Sequence, residues 1–509
     1  MNDMLMLDGL PLSIADVLSV ATGRRRVGLK DAARSAMSQS RGVVEDACSG
    51  DTPRYGINTG FGSLSKKRVP HDELAQLQRN LVRSHAAGLG PHLSVPIVRG
   101  MMLIQAASLA RGVSGIRPEV VDKILALLNS GITPAVPEVG SVGASGDLAP
   151  LAAAALTLMG EGEAYRRGAL CRADDALAEA GIESVTLQAK EGLALINGTH
   201  LMASRAALLC DEFERLFSAA IAACGMSIDA TMATDAFLDA RVHKVRNQPG
   251  QADVAAALRE MLRGSQIIPS HRDDDPRVQD PYSFRCAPPV LGAALDAARY
   301  VKRAVEQELG GVTDNPLVFE GGDIISAGNF HGMPLAIPLD TLAIALSHIA
   351  GISERRTFAM LAAADPASGL VPYLASKPGV QSGLMIVQYT AAACCNEIIG
   401  LANPASVANI STSAGIEDYN SFGPRAAAKA ERALSLTRSV VAIELLCAAQ
   451  GIDLHRPLRS GDRVERLYTA IRERVPTLVD DRPQTPDIEA LTALLDSEDI
   501  GVVLPPPLL

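Results

Sequence analysis

Hydrophobic residues recur at helical spacing along most of the chain. Within residues 71–87, Leu74, Leu77, Leu81 and Val82 fall on one stripe of a helix. Longer patterns with the same period predict helices over residues 198–232, 289–309, 338–363, 383–402 and 424–450. Because an α-helix rises about 1.5 Å per residue, helices of this length predict a bundle about 30 Å or more long.

Four segments interrupt the helical pattern. They are rich in Gly, Pro, Ser, Asn and Asp, and they cover residues 51–69, 133–147, 264–288 and 310–334. Their turn chemistry predicts loops, where functional residues concentrate, and a short strand or two is expected within residues 164–185. The sequence therefore predicts an all-α protein. A smaller N-terminal lobe covers residues 1–200, and a long central helical bundle with C-terminal helices covers residues 201–509.

Composition supports helices and excludes some classes of partner. Hydrophobic residues make up 48% of the chain and aromatic residues 3%, and Trp is absent. An Ala- and Leu-rich chain suits closely packed helices better than sheets. The formal net charge is −10, without a long basic run, so we expect neither nucleic acid nor an anionic membrane as a partner.

Cysteine and histidine spacing indicates neither a disulfide framework nor a metal site. The eight cysteines include no CxxC pair, and the nine histidines form no HExxH motif. Asp3 and Asp8 stand where an export signal needs positive charge, and no uncharged apolar run reaches the roughly 18–20 residues that span a bilayer. We therefore expect a cytoplasmic protein.

The segment GSVGASGDLAPLA, residues 140–152, allows three interpretations. It is either a small-residue turn into a helix capped by Ser145 or Asp147, a nucleophile elbow, or a self-modifying site. The elbow fits poorly because Asp147 occupies the position that requires Gly. In the third interpretation, the backbone nitrogen of Gly146 bonds to the carbonyl carbon of Ala144 and closes a five-membered ring. The close approach is possible because Gly146 has no side chain. Loss of water from Ser145 then leaves an electrophilic methylidene group.

This segment resembles the signature of the histidine and aromatic amino-acid ammonia-lyases, whose cofactor is 4-methylidene-imidazol-5-one (MIO). Further family-like motifs are YGINTGFG (55–62), LVRSHAAGLG (81–90), LINGT (195–199), VQDPYSFRCAPPVLGA (278–293), VTDNPLVF (312–319), GNFHG (328–332) and STSAGIEDYNSFG (411–423). Their order and spacing are closest to bacterial histidine ammonia-lyases. The resemblance implies an ammonia-lyase with MIO formed from Ala144, Ser145 and Gly146 and no external cofactor. It also implies a homotetramer with shared active sites.

The resemblance also implies roles for residues in these motifs. Tyr55 would be the catalytic base, Tyr282 its active-site partner, and Arg285 the clamp for the substrate carboxylate. A phenol with a pKa of about 10 needs a positive environment to act as a base, which Arg285 and helix termini could provide. Three further candidates, Asn197, Gln279 and Asn329, would make polar contacts around the ring and the carboxylate. Phe330 would form an apolar wall beside the ring.

Two further positions bear on which amino acid is the substrate. His85 lies where many phenylalanine lyases carry Leu, and Glu417 lies where many phenylalanine and tyrosine lyases carry a neutral residue. Both favour a polar ring and predict conversion of L-histidine to trans-urocanate. Ile416 and Tyr419 depart from the histidine-lyase pattern, which usually has Gln and His there.

These departures leave other reactions open. One alternative is a tyrosine or mixed aromatic ammonia-lyase that gives p-coumarate. A 2,3-aminomutase that uses the same electrophile is a further alternative.

Overall fold

The structure is a computed structural model, and it describes residues 4–50, 52–273, 275–497, 500–501 and 503–509. Asp3 and position 51 of the first predicted loop lie outside the described residues. The chain forms two compact units, each made of three chain segments. The first unit comprises Met1–Leu208, Lys302–Leu339 and Pro404–Ala428, and the second comprises Leu209–Val301, Asp340–Asn403 and Lys429–Leu509. The predicted division at residue 200 stays a prediction.

Helices make up most of the chain, and the predicted all-α class is confirmed. The first eight helices are α1 Ile14–Ala21, α2 Asp31–Ser49, α3 Leu74–His85, α4 Val95–Leu109, α5 Pro118–Ser130, α6 Leu148–Leu158, α7 Ala173–Ala180 and α8 Glu191–Ile196. The others are α9 His200–Ala230, α10 Ala240–Arg246, α11 Pro249–Leu262, α12 Ile267–Ser270, α13 Tyr282–Arg285, α14 Ala287–Glu308, α15 Met333–Ala362, α16 Met385–Leu401, α17 Gly423–Asp453, α18 Asp462–Arg472 and α19 Thr485–Asp496. The division between the units falls inside α9, α14, α15 and α17.

Short strands pair within the first unit. They are β1 Leu5–Leu7, β2 Val27–Leu29, β3 Leu89–His92, β4 Ile132–Pro134, β5 Pro137–Val139, β6 Glu163–Arg166, β7 Ala169–Arg172, β8 Leu317–Val318 and β9 Ile324–Ile325. β1 pairs with β2 in parallel, whereas β3–β5, β4–β6–β7 and β8–β9 are antiparallel. β6 and β7 lie in the region, residues 164–185, where a short strand or two was expected, and the other strands were not predicted. Of these, β4, β5, β8 and β9 fall in predicted loops or beside them, and a ladder of two to four residues leaves little periodicity to detect.

Three helices of the first unit pack against one another and position the candidate site. α3, α6 and α8 make mutual contacts. The Oε1 atom of Gln78 on α3 accepts a 3.1 Å hydrogen bond from the backbone N–H of Leu193 on α8. α3 ends at His85, α6 begins three residues after Ser145, and α8 ends immediately before Asn197. Three helix termini therefore hold residues that lie far apart in the sequence.

Two helices, α15 and α17, are long and apolar enough to cross a membrane by length and composition. In their most apolar windows, 67% and 83% of the residues are buried inside the fold. Burial of this kind is typical of core helices that are apolar because they pack against protein.

Candidate active site

One cavity of the first unit brings six of the predicted site residues together. It measures about 610 Å³ and is lined by Tyr55, His85, Ser145, Asn197, Phe330 and Glu417. Neighbouring parts of its wall come from residues to which the sequence assigned no role, among them Asn80, Ser84, Leu193, Asn315 and Ser413. Because these residues come from six separate chain segments, no local sequence window could have revealed the complete lining.

The Ala144–Ser145–Gly146 triplet is clamped on its N-terminal side. The hydroxyl of Ser421 donates to the carbonyl of Gly143 at 3.2 Å, and the N–H of Phe422 donates to the carbonyl of Val142 at 3.0 Å. Gly143 has a φ of +69°, and a Cβ atom there would lie 2.1 Å from the Ser421 hydroxyl oxygen. Glycine is therefore required for this close approach.

The C-terminal side of the triplet is clamped against Gly198. The N–H of Asp147 donates to the Gly198 carbonyl at 2.7 Å, and the Gly198 N–H donates to the Ser145 carbonyl at 3.3 Å. Gly146 has a φ of +73°, and a Cβ atom there would lie 2.0 Å from the Gly198 carbonyl oxygen. The backbone of the triplet is thus bent and held close to its neighbour, with only the Ser145 side chain reaching the cavity wall.

Asp147 anchors the triplet in a way that the cap interpretation did not anticipate. α6 begins at Leu148, but the Asp147 side chain makes no capping bond to it. Its Oδ2 atom accepts instead from the N–H groups of Leu201 and Met202, at 2.9 and 3.1 Å, in the first turn of α9. Asp147 is fully buried, and this burial raises the pKa of its carboxyl to about 7, against the lowering effect of the two N–H donors.

These observations fit cyclisation of the triplet to MIO. Both ends of Ala144–Ser145–Gly146 are hydrogen-bonded, Ala144 and Gly146 are buried, and no side chain stands at Gly146 to block ring closure. The hydroxyl of Ser141 donates to the Gly146 carbonyl at 3.2 Å and adds a further restraint. Such pre-organisation reduces the entropy cost of bringing backbone atoms into a five-membered ring.

Tyr55 lies in the predicted glycine-rich loop and is half-buried in the cavity wall. Its hydroxyl oxygen accepts from the Gly62 N–H at 3.5 Å. Burial raises the pKa of the Tyr55 phenol, the Gly62 hydrogen bond lowers it, and the negative charge of Glu417 raises it further, for a net increase. This differs from the lowered pKa that a base requires, because the described lining of this cavity contains no Lys or Arg.

His85 ends α3 with its ring held by backbone. The Nδ1 atom lies 2.8 Å from the Leu81 carbonyl oxygen, which can only accept a hydrogen bond. Nδ1 therefore carries the proton, and in the neutral ring Nε2 is left as an acceptor. Ser84 does not alter this assignment, since its hydroxyl donates to the same Leu81 carbonyl at 3.1 Å.

Glu417 is the second acceptor in the cavity wall. The Thr412 hydroxyl donates to Glu417 Oε2 at 3.0 Å, and antiparallel backbone pairing joins the same two residues. Within the described ranges, no Lys or Arg lies within ion-pair distance of Glu417. Ile416 lines the cavity beside it, and Tyr419 lies 64% exposed, with its ring centroid 6.2 Å from that of His331.

The other predicted residues lie outside the lining of this cavity. Asn329 is exposed and its Nδ2 atom donates to the Val312 carbonyl at 3.3 Å. Gln279, Tyr282 and Arg285 belong to the second unit, where Gln279 is exposed and Tyr282 is 69% exposed.

The second-unit residues form an ordered cationic turn. The Nε atom of Arg285 donates to the Asp280 carbonyl at 3.0 Å, and the guanidinium lies 4.4 Å from the centre of the Tyr282 ring. The Arg285 side chain is thus held by one hydrogen bond from Nε to the backbone and by stacking of its guanidinium on the Tyr282 ring. In the described part of the chain, no group of three or more His, Cys, Asp or Glu side chains is arranged to hold a metal ion.

Lys190 and Asp314 support a residue of the cavity wall, and sequence reasoning assigned them no role. They form a buried ion pair that contacts Asn197 at the cavity wall. Asp314 lies in the motif VTDNPLVF and Lys190 shortly before LINGT, so their position beside these motifs was the available signal. Neither spacing nor periodicity predicts that the two would meet across 124 residues.

Comparison with known proteins gives matches over nearly the whole chain. The model of the "Aromatic amino acid lyase" family matches residues 12–473. A histidine ammonia-lyase from Anaeromyxobacter sp. (strain K) is 47% identical over 502 residues, which cover 97% of this chain and 98% of that protein. Among solved structures, histidine ammonia-lyase from Trypanosoma cruzi has a TM-score of 0.90 at 36% identity, covering 98% of this chain and 95% of that one. Tyrosine aminomutase from Streptomyces globisporus has a TM-score of 0.92 at 33% identity, with 98% of each chain covered.

Proposed function

The chain belongs to the aromatic amino acid lyase family and is an ammonia-lyase, and we propose that it converts L-histidine to trans-urocanate and ammonia. The observation that carries the substrate assignment is the pair of acceptors, His85 Nε2 and the Glu417 carboxylate, in the cavity that contains Ser145. An imidazolium ring offers two N–H donors and a positive charge. A phenol offers one donor and a phenyl ring none, and neither brings a positive charge to the partly buried Glu417 carboxylate.

We propose that Ala144, Ser145 and Gly146 form MIO without an external cofactor. Gly198, Ser421 and Asp147 would hold the triplet in the bent conformation that ring closure needs. The methylidene ring supplies an electrophile for the substrate amine. The positive end of the α6 dipole, three residues beyond Ser145, favours negative charge near this point.

Tyr55 is proposed as the base that removes the β-proton. Its phenol is protonated at neutral pH in the isolated cavity, because burial and Glu417 both raise its pKa. A nearby guanidinium would stabilise the phenolate and lower that pKa. Arg285 is the candidate, and the same guanidinium would pair with the substrate carboxylate. Phe330 provides an apolar wall, and Asn197, Gln279 and Asn329 are proposed polar contacts.

The residues of the proposed site come from both units of the chain, and we propose an assembly with shared sites. The cavity of the first unit contains no Lys or Arg in its described lining, whereas Arg285 and Tyr282 lie in the second unit. We propose a cytoplasmic homotetramer in which a second copy of the chain supplies Gln279, Tyr282 and Arg285 to this cavity. The substrate is a small molecule, and neither nucleic acid nor a membrane is a proposed partner.

Tyrosine is the second candidate substrate. Ile416 places an apolar side chain in the cavity wall beside Glu417, and a phenol could donate its single hydroxyl hydrogen to His85 Nε2. A mixed aromatic specificity would follow from the same arrangement. A 2,3-aminomutase outcome is the third possibility, and it would be recognised by a β-amino acid product.

The purified protein should be incubated separately with histidine, tyrosine and phenylalanine, with urocanate, coumarate and cinnamate followed by absorbance. We expect urocanate to form fastest. Turnover of tyrosine without histidine would overturn the substrate assignment. If no substrate reacts and Ser145→Ala changes nothing, the proposed chemistry is wrong.

A further inference from the structure

The side-chain amide of Asn197 has only one chemically acceptable orientation. Its Nδ2 atom donates to Asp314 Oδ1 at 3.3 Å and to the Asn315 carbonyl at 3.2 Å. A carboxylate and a backbone carbonyl can only accept hydrogen bonds. A flipped amide would place the Asn197 oxygen against these two acceptors. The Nδ2 atom therefore faces Asp314 and the Asn315 carbonyl, and the Oδ1 atom faces away from them.

Asp314 is in turn held in place as an acceptor by an ion pair and a backbone hydrogen bond. Its Oδ2 atom lies 2.6 Å from the ammonium of Lys190, and its Oδ1 atom accepts from the Asn315 N–H at 2.6 Å. The Lys190 side chain is fully buried and that of Asp314 is 3% exposed. Both oxygens of Asp314 thus face donors, the Lys190 ammonium on Oδ2 and the Asn315 N–H on Oδ1, so Asp314 presents an acceptor to Asn197 and fixes the orientation of its amide.

This arrangement leaves the Asn197 oxygen unused. Asn197 is 2% exposed, and its buried Oδ1 atom has no hydrogen-bond partner in the described part of the chain. Unpaired buried acceptors are costly and uncommon in native structures. Asn197 lies in the wall of the cavity that contains Ser145, so a ligand in this cavity can supply the missing donor.

We propose that the Lys190–Asp314 pair is a positioning device that makes Asn197 Oδ1 the acceptor for the substrate amino group. This inference rests on the proposed ammonia-lyase function. The substrate carboxylate has no hydrogen to donate, and the donors of an imidazolium ring are matched by His85 and Glu417. The amino group is the remaining N–H donor, and it must lie near Ser145 for elimination to proceed. Asn197 is then a catalytic residue, and Lys190 and Asp314 act through it.

The test is a comparison of ligands with and without an amino group. L-Histidine and urocanate share the ring and the carboxylate, but only histidine carries the amine. Their dissociation constants should be measured by calorimetry in a Ser145→Ala background, where neither turnover nor ring formation can intervene. We expect Asn197→Ala and Asp314→Asn each to weaken histidine binding by about tenfold or more. Urocanate binding should change by no more than about twofold.

A double variant tests whether the buried pair acts through Asn197. Adding Asp314→Asn to Asn197→Ala should cause little further loss of histidine affinity, because the group that Asp314 positions is already gone. Lys190→Met should resemble Asp314→Asn. Arg117→Gln is the matched control: it removes the nearer of two cations, Arg117 and Arg41, from buried Glu191 in the same unit, and none of these residues lines the cavity. It should lower the thermal midpoint and leave the histidine-to-urocanate affinity ratio unchanged.

Two results would overturn the inference. Equal weakening of histidine and urocanate by Asn197→Ala would mean that Oδ1 does not recognise the amine. Fully additive losses in the double variant would mean that the pair does not act through Asn197. Asn197→Ala leaves the buried pair in place, so it provides the test even if a pair variant does not fold. The result is separable from the proposed function: if the unmodified protein acts on tyrosine, the same comparison uses tyrosine and coumarate.

Discussion

The cavity of the first unit and the Tyr282–Arg285 turn of the second unit differ in charge and in exposure. The cavity combines Ser145 with two acceptors, His85 and Glu417, and its described lining contains no Lys or Arg. The turn carries a guanidinium stacked on an exposed tyrosine. An aromatic amino acid needs both kinds of surface, because its carboxylate requires a cation and an imidazole ring requires acceptors.

This difference explains the pKa of Tyr55. Inside the cavity, burial and Glu417 both raise that pKa, so the phenol is a poor base in an isolated chain. A cation from a second copy of the chain would reverse the sign of the local field. In the proposed shared-site assembly, the ring acceptors would come from one copy of the chain, and the cation for Tyr55 and for the substrate carboxylate would come from a second copy.

The largest expected effect concerns the Ser145 hydroxyl. Ser145→Ala removes the group whose loss as water creates the electrophile, and kcat should fall by on the order of 10⁴ or more. Ser141→Ala is the matched control, because it removes two loop hydrogen bonds, to the Gly146 carbonyl at 3.2 Å and from the Gly143 N–H at 3.1 Å, but no reacting group, and kcat should fall less than about tenfold. Equal losses in the two variants would assign Ser145 a structural role. Steady-state urocanate formation measures both.

The next effect isolates the cationic turn. Arg285→Gln should raise KM for histidine by about 100-fold, since a charge-assisted bidentate contact to the carboxylate is lost. Inhibition by histamine, which has no carboxylate, should stay within about twofold of the parent value. The acid limb of the kcat/KM profile should also move to higher pH, because the Tyr55 phenolate loses its stabilising charge. An unchanged profile would remove Arg285 from the environment of Tyr55.

The acceptor side of the cavity predicts a change in specificity. His85→Leu removes the Nε2 acceptor and should shift the ratio of kcat/KM values for phenylalanine over histidine upward by about tenfold or more. Glu417→Gln keeps the shape but removes the charge, and should lower kcat/KM for histidine more than for tyrosine. Kinetics with the three amino acids measure both shifts. An unchanged ratio in His85→Leu would place His85 outside the substrate pocket.

The last expected effect is on stability in acid and not on activity. Burial lowers the pKa of His200 to about 4, so protonation disfavours the folded state. Its contribution is complete above pH 6.5 and is lost as pH falls toward 4, which amounts to about 3 kcal/mol of unfolding free energy. The pKa of Asp147, raised to about 7, contributes with the opposite dependence, since stability falls as pH rises from 3.8 toward 7. Urea denaturation of His200→Gln against the parent isolates the histidine, and identical pH dependence would contradict this assignment.

Much of this architecture was predictable from local patterns. The periodic segments correspond to α9, α14, α15, α16 and α17, with ends shifted by a few residues, because helical spacing is a local property. The lining of the cavity by Tyr55, Ser145, Asn197 and Glu417 was expected only through the resemblance of their motifs.

Contacts between distant segments were not predictable in the same way. The pairing of Lys190 with Asp314 and the hydrogen bonds from α9 to Asp147 depend on how distant segments pack. Neither composition nor periodicity carries information about that packing. The raised pKa of Tyr55 likewise depends on burial and on the proximity of Glu417, which only three-dimensional structure provides.

The most direct test of the account is complementation between two inactive variants. Ser145→Ala keeps the cationic turn, and Arg285→Ala keeps the complete cavity of the first unit. If a second copy supplies Arg285, each site needs an intact Ser145 from one copy and an intact Arg285 from another. With co-expression in equal amounts and random assembly, about one quarter of the sites should contain both. The purified mixed oligomer should then recover about a quarter of the parent urocanate-forming activity. Activity that remains at the sum of the two separate variants would contradict the account, because Ser145 and Arg285 would then have to act from the same copy.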